Sequence, residues 1–222
     1  MSFFVLLRRK PKAYMLSLYS KNLENAVNEI AKLPGIGRRT ALRLALHLLK
    51  TDAGEVNLLT DRIAKLKTDV YCCHTCFNIS DSEECDICAN PKRDAATICV
   101  VQDIRDVIAI ENTHQYNGVY HVLGGVISPM DGIGIHQLRL KELFDRVEKG
   151  PVAELILALP ATVEGDTTNF FIYKNVKDKI PKISTIARGI GVGEELEYAD
   201  EVTLGRSLLA RMDFDVAYKK QS

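Results

Sequence analysis

Apolar residues recur every three or four positions through the first third of the chain, the spacing that places them on one face of a helix. Helices are predicted over 21–33 and 38–50. The inner face of the first helix is predicted to consist of Leu23, Val27, Ile30 and Leu33. A third helix is predicted over roughly 55–70, with five apolar residues facing inward: Val56, Leu59, Ile63, Leu66 and Val70.

The pattern changes in the second half of the chain, where short apolar runs are separated by helical stretches. The runs lie at 97–101, 119–123, 153–159 and 183–187, and helical patterns lie near 103–113, 135–149 and 167–179. Strands that alternate with helices predict a parallel sheet covered by helices. Functional loops of such sheets follow the carboxyl ends of the strands, here Gln102-Asp103, residues 124–134 and residues 160–166.

Four cysteines lie between the two patterns, in two C-x-x-C pairs separated by eight residues. Pairs at this spacing can surround one zinc ion with four thiolates. The predicted ligands are Cys73, Cys76, Cys85 and Cys88. Because four protein ligands leave no open position, the predicted Zn²⁺ is structural and not catalytic.

Other interpretations of these cysteines are less favoured. Two disulfides are disfavoured because residues 3–7 do not form a secretory signal, so the protein is expected in the cytoplasm, where disulfides seldom persist. A redox C-x-x-C leaves the second pair unexplained. Cys72 offers another register and His74 another ligand, but the tight turn favours Cys73 and leaves Cys72 as a spare thiol. Cys99, in an apolar run, is predicted to be buried.

The 222 residues carry no net charge, yet the charge is unevenly distributed. Residues 1–50 hold ten Lys and Arg against two Glu, a net charge of +8, so residues 51–222 carry −8. A basic segment on an acidic body is typical of a polyanion-binding surface, although a solvated charged face gives the same composition. No apolar run approaches the length of a membrane span. Residues 1–14 show no periodicity that would pack, and residues 1–19 are interpreted as a disordered tail or a mis-assigned start.

The turn between the first two predicted helices has the chemistry of a phosphate-binding site. Glycines after Pro34 permit a tight turn, and the N–H groups that open the second helix can bind a phosphate beside arginine side chains. It resembles the helix-hairpin-helix motif of DNA repair proteins, although an ordinary helical hairpin with a glycine turn is the alternative. The predicted DNA-backbone site consists of Gly35, Ile36, Gly37, Arg38, Arg39 and Arg43.

In their order along the chain, this hairpin, the four cysteines, the Thr162–Asp166 stretch and residues 186–197 resemble the RecR family of bacterial recombination mediators. The resemblance covers about residues 20–212. It implies an α/β multidomain protein with four parts: a helix-hairpin-helix domain at 20–71, a small four-cysteine zinc finger at 72–95, a Toprim-type parallel α/β domain at 96–187, and a C-terminal oligomerisation segment at 188–222.

The same resemblance implies a function in DNA repair and homologous recombination. A protein of this kind binds DNA of any sequence and helps to load recombinase onto gapped single-stranded DNA, with RecO as its partner and RecF as a further candidate. It also implies a homo-oligomer, either a dimer or a tetrameric ring, near the nucleoid. A monomer with a folded-back tail fits the periodicity equally well.

The predicted Toprim domain lacks part of the acidic set that binds Mg²⁺ in the active enzymes it resembles. Gln102 stands where those enzymes have a glutamate, and Pro160 and Thr162 stand where they have aspartates. The protein is therefore predicted not to be an enzyme. Glu164 and Asp166 remain, and are interpreted as a partner-binding surface or as solvated loop residues. The alternatives are a Mg²⁺-dependent Toprim nuclease or topoisomerase, and a zinc-containing DNA-binding regulator.

Overall fold

The computed structural model describes residues 20–213, which divide into two units between Thr68 and Asp69. The predicted tail or mis-assigned start at 1–19 lies outside the described residues, as does the end of the predicted C-terminal segment at 214–222. Within the described part of the chain, no helix is both long enough and apolar enough to cross a membrane.

The first unit is helical, as the spacing of its apolar residues predicts. Its helices are α1 (Lys21–Ile30), α2 (Arg38–Lys50) and α3 (Ala53–Thr68). α1 and α2 pack around Val27, Ala41 and Ala45, which are the buried residues described in this unit. The small alanine side chains allow the two helices to approach closely.

The predicted inner faces of the first and third helices are partly wrong. α1 ends at Ile30, and Leu33 beyond it is exposed. Ile63 and Leu66 of α3 are 56% and 65% exposed, and α3 has no buried residue among those described. An apolar stripe indicates that a surface favours burial, but the pattern alone does not identify what covers it.

The second unit contains a small antiparallel pair and a larger parallel sheet. The pair and its helix are β1 (Tyr71–Cys72), β2 (Ile79–Ser80) and α4 (Asp86–Ala89). The larger part consists of β3 (Asp94–Val101), α5 (Ile104–Glu111), β4 (Gly118–Val122), α6 (Leu140–Lys149), β5 (Glu154–Ala158), α7 (Val163–Val176), β6 (Lys182–Thr185) and α8 (Glu201–Leu209). The strand order is β4-β3-β5-β6 and all neighbours are parallel, which confirms the predicted sheet.

The carboxyl-terminal halves of the central strands β3 and β5 are apolar because helices cover both faces of the sheet. Val100 belongs to a buried cluster with Leu143 of α6 and Ile172 of α7. Val101, the next residue along β3, belongs to a second cluster with Val107 of α5. Alternation along the strand therefore distributes side chains between two cores.

Two of the predicted helices begin at residues other than those indicated by the sequence. The helix predicted at 135–149 starts only at Leu140, because residues 135–137 form a 3₁₀ turn and Leu138 is extended, with ψ 155°. The helix predicted at 167–179 starts earlier, at Val163. Thr162 caps it by accepting a hydrogen bond from the Gly165 N–H at 3.1 Å.

Candidate functional site

The four predicted metal ligands come together. Their Sγ atoms all lie within 4.8 Å of one another, and those of Cys76 and Cys85 are 3.5 Å apart. A tetrahedral site with bonds of about 2.3 Å needs sulfur–sulfur distances of about 3.8 Å. Cys73, Cys76 and Cys85 are buried and Cys88 is half-buried. The cluster can therefore hold a metal ion, and its four thiols suit zinc.

Backbone hydrogen bonds position the first two predicted ligands, Cys73 and Cys76. β1 pairs with β2 through Cys72 and Ile79, and the Cys73 N–H donates to the Asn78 carbonyl at 2.8 Å. Phe77 takes a left-handed conformation, with φ 63°, and its N–H donates to the Cys73 carbonyl at 2.9 Å. These bonds close a tight turn with Cys73 and Cys76 on its inner side.

The other cysteines and the histidine considered in the sequence lie outside the four-sulfur group. Cys72 is exposed and is not part of the four-sulfur group, which agrees with its interpretation as a spare thiol. His74 is exposed, and its Nδ1 lies 2.8 Å from the Glu83 carbonyl oxygen. Cys99 is buried in the sheet, as its apolar neighbours predict.

The surroundings of the cluster shift the pKa values of Cys73, Cys76 and Cys85. Burial opposes ionisation of Cys73, but backbone N–H groups that hydrogen-bond to its sulfur lower its pKa to about 6. Hydrogen bonding with the Cys88 sulfur and burial raise the pKa of Cys76, and burial raises the pKa of Cys85 to about 11. Cys76 and Cys85 therefore resist ionisation, and a bound cation would favour their thiolate forms.

The cysteine loop covers the edge strand of the parallel sheet. The Val122 N–H of β4 donates to the Cys76 carbonyl at 2.8 Å. Phe77 packs edge-on against His121 of β4, with ring centroids 5.4 Å apart, and the Arg139 guanidinium lies 4.9 Å from the Phe77 ring. The cysteine loop is thus joined to the sheet by backbone as well as side-chain contacts.

The predicted hairpin turn is exposed and sterically open. Gly35 has φ 76°, a conformation that favours glycine, and the Ile36 N–H donates to the Leu33 carbonyl at 3.1 Å. Ile36 is half-buried against the α1–α2 core. Gly37 precedes α2 without any side-chain cap, and a Cβ at Gly35 or Gly37 would meet no atom within 4 Å. The turn can therefore be approached closely by another backbone.

The structure separates the three predicted arginines. Arg38 faces α1, where its Nη1 donates to Asn28 Oδ1 at 3.1 Å and its Nη2 lies 3.6 Å from Glu24 Oε1. Arg39 and Arg43 are exposed, and neither forms an ion pair within residues 20–213. Arg38 is also exposed, but it links α2 to α1 through these contacts, whereas Arg39 and Arg43 form no ion pair within the described residues.

At the carboxyl edge of the sheet, the residues after β3 are used for capping. Gln102 follows β3 directly, and its N–H donates to Asp106 Oδ2 at 3.1 Å. The Asp103 N–H donates to the same oxygen at 3.0 Å, while the Asp103 side chain accepts from the Arg105 N–H. Asp103 is thus the N-cap of α5. Asp106, whose role was not predicted, completes the capping box.

The acidic residues after β5 differ in their surroundings. Glu164 and Asp166 lie in the first turn of α7 and are half-buried. The Asp166 carboxylate accepts hydrogen bonds from Arg188 at 2.6 and 3.1 Å, and Arg206 Nη2 lies 3.8 Å away. The Arg188 guanidinium lowers the pKa of Asp166. Asp166 is therefore charged and already paired within the chain.

No local sequence pattern signals this pairing, since Arg188 and Arg206 lie 22 and 40 positions beyond Asp166. Both arginines line a cavity of about 710 Å³ at the carboxyl ends of β5 and β6. Asp106 and Pro160 also line it. The folded chain thus brings residues from four segments to the edge where the sequence predicts functional loops.

Comparison with known proteins agrees with this architecture. Family models described as a RecR helix-hairpin-helix, a Toprim domain and a RecR C-terminal region match residues 23–67, 96–187 and 189–212. The recombination protein RecR of Flavobacterium johnsoniae is 56% identical over 200 residues, which cover 90% of this chain and 97% of the relative. RecR of Bacteroides thetaiotaomicron is 59% identical over 192 residues, which cover 86% and 94%.

The chain belongs to the RecR family. RecR of Porphyromonas gingivalis is 52% identical over 206 residues, which cover 92% of this chain and 100% of the relative. RecR membership establishes a role in recombination repair, a helix-hairpin-helix DNA-binding domain and a Toprim domain. It confirms the predicted family and fold class.

Proposed function

We propose that this protein is a non-enzymatic recombination mediator that binds the DNA sugar-phosphate backbone through its hairpin. The observation that supports this most directly is the open turn at Gly35 and Gly37, which leads into the uncapped N-terminus of α2. Free N–H groups and the positive end of the helix dipole at such a terminus favour a phosphate. Arg39 and Arg43 add two charges with no partner in the described chain.

Backbone recognition has consequences for specificity. Contacts to phosphates carry no direct information about base sequence, so binding is expected to be nearly independent of sequence and to weaken steeply with salt. A sequence-specific zinc-containing regulator would instead place side chains against base edges in a groove. The exposed arginines beside a helix N-terminus favour recognition of the DNA backbone over sequence-specific recognition.

Structural zinc is the metal that the cysteine cluster suits best. Cys73, Cys76, Cys85 and Cys88 would hold it, and four sulfur ligands leave it no position for water. When bound, Zn²⁺ neutralises the thiolates and stabilises the fold locally.

The partners and assembly come to this chain from the family resemblance. We propose RecO as a partner, RecF as a second one, and loading of recombinase onto gapped single-stranded DNA in the cytoplasm, at the nucleoid. Glu164 is the better placed of the two predicted partner-binding acids, because Asp166 is paired with Arg188. A homo-oligomer, as a dimer or tetrameric ring, is supported by exposed apolar residues on α3 and α8 such as Leu66 and Leu209.

Three features at the carboxyl edge support a mediator and not a Mg²⁺-dependent nuclease or topoisomerase. Gln102 carries an amide, which cannot act as a base. Asp106 accepts two backbone hydrogen bonds as a cap, and Asp166 is paired with an arginine. Glu164 alone remains without such a contact to its carboxylate among the described residues.

DNA binding is tested with the double variant Arg39→Gln/Arg43→Gln on labelled gapped DNA. Loss of two phosphate contacts is expected to lower the slope of log K against log salt by about 1.5 units, with equal loss on DNA of unrelated sequence. Lys32→Gln is the control, since Lys32 is paired with Glu29 at 2.7 Å. Unchanged binding by the double variant would remove the hairpin from the interface.

Absence of enzymatic activity is tested by incubating the zinc-loaded protein with labelled gapped DNA and Mg²⁺. No cleavage or change of topology is expected. Cleavage or a change of DNA topology that persists in the highly purified protein, and disappears in the Glu164→Gln variant, would contradict the mediator proposal. It would support a Toprim nuclease or topoisomerase.

A further inference from the structure

The exposed face of α2 carries two basic residues, His47 and Lys50, in addition to the arginines of the proposed hairpin site. Arg39, Arg43, His47 and Lys50 are all exposed and are separated by four, four and three positions. Such spacing places side chains above one another along a helix. We call these four residues the α2 stripe. Only its first half adjoins the glycine turn.

Helical geometry places the α2 stripe opposite the core of the first unit. At about 100° per residue, its four side chains fall within about 80° of the helix circumference. Ala41 and Ala45, which pack against α1, lie on about the opposite side. Arg38 lies about 100° from Arg39, which explains why it contacts α1 while the stripe does not.

The charge of this face is not balanced within the helix. α2 contains no Asp or Glu. Within residues 20–213, the only ion pair formed by α2 is that of Arg38 with Glu24. Leu42 and Leu46 lie beside the cations, and the six side chains line a shallow groove of about 420 Å³. A groove lined by cations and apolar side chains suits a phosphate–sugar chain better than an acidic protein surface.

We propose that the DNA backbone follows α2 beyond the hairpin, so that His47 and Lys50 are further contacts with the sugar-phosphate chain. Arg39 and Lys50 are about 16 Å apart along the helix axis, the length of about five nucleotides of one duplex strand. The arginines and Lys50 bind phosphates, His47 donates a hydrogen bond, and the leucines contact the sugars. This inference rests on the proposed function, because it extends the same interface.

The test measures binding of the full-length protein to labelled oligothymidine over a range of salt concentrations. Lys50→Gln is expected to lower the slope of log K against log salt by about 0.7, and to weaken binding about fivefold at about 0.1 M salt. His47→Leu is expected to weaken binding over the same range. Lys65→Gln on α3 is the matched control, since Lys65 is an exposed lysine of the same unit outside the stripe.

Each outcome decides between the two proposals. Equal effects of Lys50→Gln and Lys65→Gln would show that only net charge matters and would overturn the stripe. Normal binding by Lys50→Gln and His47→Leu, with weak binding by Arg39→Gln/Arg43→Gln, would end the interface at Arg43 and leave the proposed function intact. Normal binding by all of these variants would overturn both. Thermal unfolding of each variant excludes loss of fold as the cause.

Discussion

Gly165 lies where α7 passes closest to the loop that follows β5. A Cβ at this position would lie 2.0 Å from the Pro160 carbonyl oxygen and 3.0 Å from its carbonyl carbon. Both atoms belong to the backbone, so neither can rotate away. A single residue without a side chain therefore sets the separation between the loop and the helix that carries Glu164 and Asp166.

We expect Gly165→Ala to lower the free energy of unfolding by about 1–3 kcal/mol or more, because the loop must shift to admit a methyl group. Urea unfolding measures the change. Gly205→Ala is the control, since Gly205 lies in α8 and its added Cβ would meet nothing within 4 Å. Helix propensity predicts that this control is up to about 1 kcal/mol more stable. Equal stability of the two variants would contradict the close approach.

His121 is a second residue whose surroundings determine its chemistry. It is fully buried, its Nε2 lies 2.8 Å from the Arg139 carbonyl oxygen, and its Nδ1 has no hydrogen-bond partner among the described residues. Burial lowers the pKa of His121 from 6.5 to about 4. The folded protein therefore holds this side chain neutral at a pH where the unfolded chain binds a proton.

The lowered pKa predicts a pH dependence of stability. Above pH 6.5 the contribution of His121 is fully present, and it falls by about 3 kcal/mol as the pH drops from 6.5 to 4. The difference in unfolding free energy between the parent and His121→Gln should therefore shrink over this range. Because the two proteins share every other titratable group, the difference isolates His121. A difference that is constant with pH would contradict the prediction.

At the scale of elements, the cysteine loop and β4 behave as one structure. The Val122 N–H donates to the Cys76 carbonyl, and Arg146 Nη1 donates to the Tyr120 carbonyl at 2.7 Å and reaches the Thr75 carbonyl at 3.5 Å. Disruption of the four-cysteine cluster is therefore expected to weaken the edge of the sheet as well as the loop.

Cys85→Ser is expected to abolish bound zinc and to lower the Tm by about 10 °C or more, because binding energy at a structural site is also folding energy. Metal analysis and thermal unfolding with and without chelator measure both effects. Cys72→Ser is the control, since Cys72 is exposed and outside the four-sulfur group. If Cys85→Ser melts like the parent in every condition, the structural-metal proposal is wrong.

The elements that could be predicted from the sequence are those determined by neighbouring residues. The cysteine spacing, the glycine turn before α2 and the apolar strands depend on local geometry, and the structure agrees with each. The start of α6 at Leu140 and the separation of Arg38 from Arg39 depend on distant contacts or on exact helical angle. The pairing of Asp166 with Arg188 depends on how the chain returns to the sheet, which no local pattern encodes.

At the scale of the whole molecule, exposed apolar side chains occur on several segments, and two of these segments are α3 and the stretch around the end of α8. On α3, Leu59, Ile63 and Leu66 are 44%, 56% and 65% exposed at helical spacing. Near the C-terminus, Leu208, Leu209 and Met212 are 62%, 84% and 70% exposed. Contiguous exposed apolar residues are typical of surfaces that bind another protein.

We expect the protein to have a mass of more than one chain in solution, and Leu66→Glu to reduce that mass by placing a charge on the apolar stripe of α3. Light scattering after size-exclusion chromatography measures the mass. Lys67→Glu, the neighbouring exposed residue, is the control for added negative charge. A single-chain mass for the parent protein at all concentrations would exclude the oligomer.

The ion pair of Asp166 with Arg188 has one more consequence. A divalent ion at a carboxylate is exchangeable, and its occupancy follows the concentration of free magnesium. A guanidinium carried by the same chain remains at a fixed effective concentration and cannot be removed by chelation. The charge of Asp166 is therefore balanced by a side chain of the same chain, and this pairing does not depend on the concentration of free magnesium.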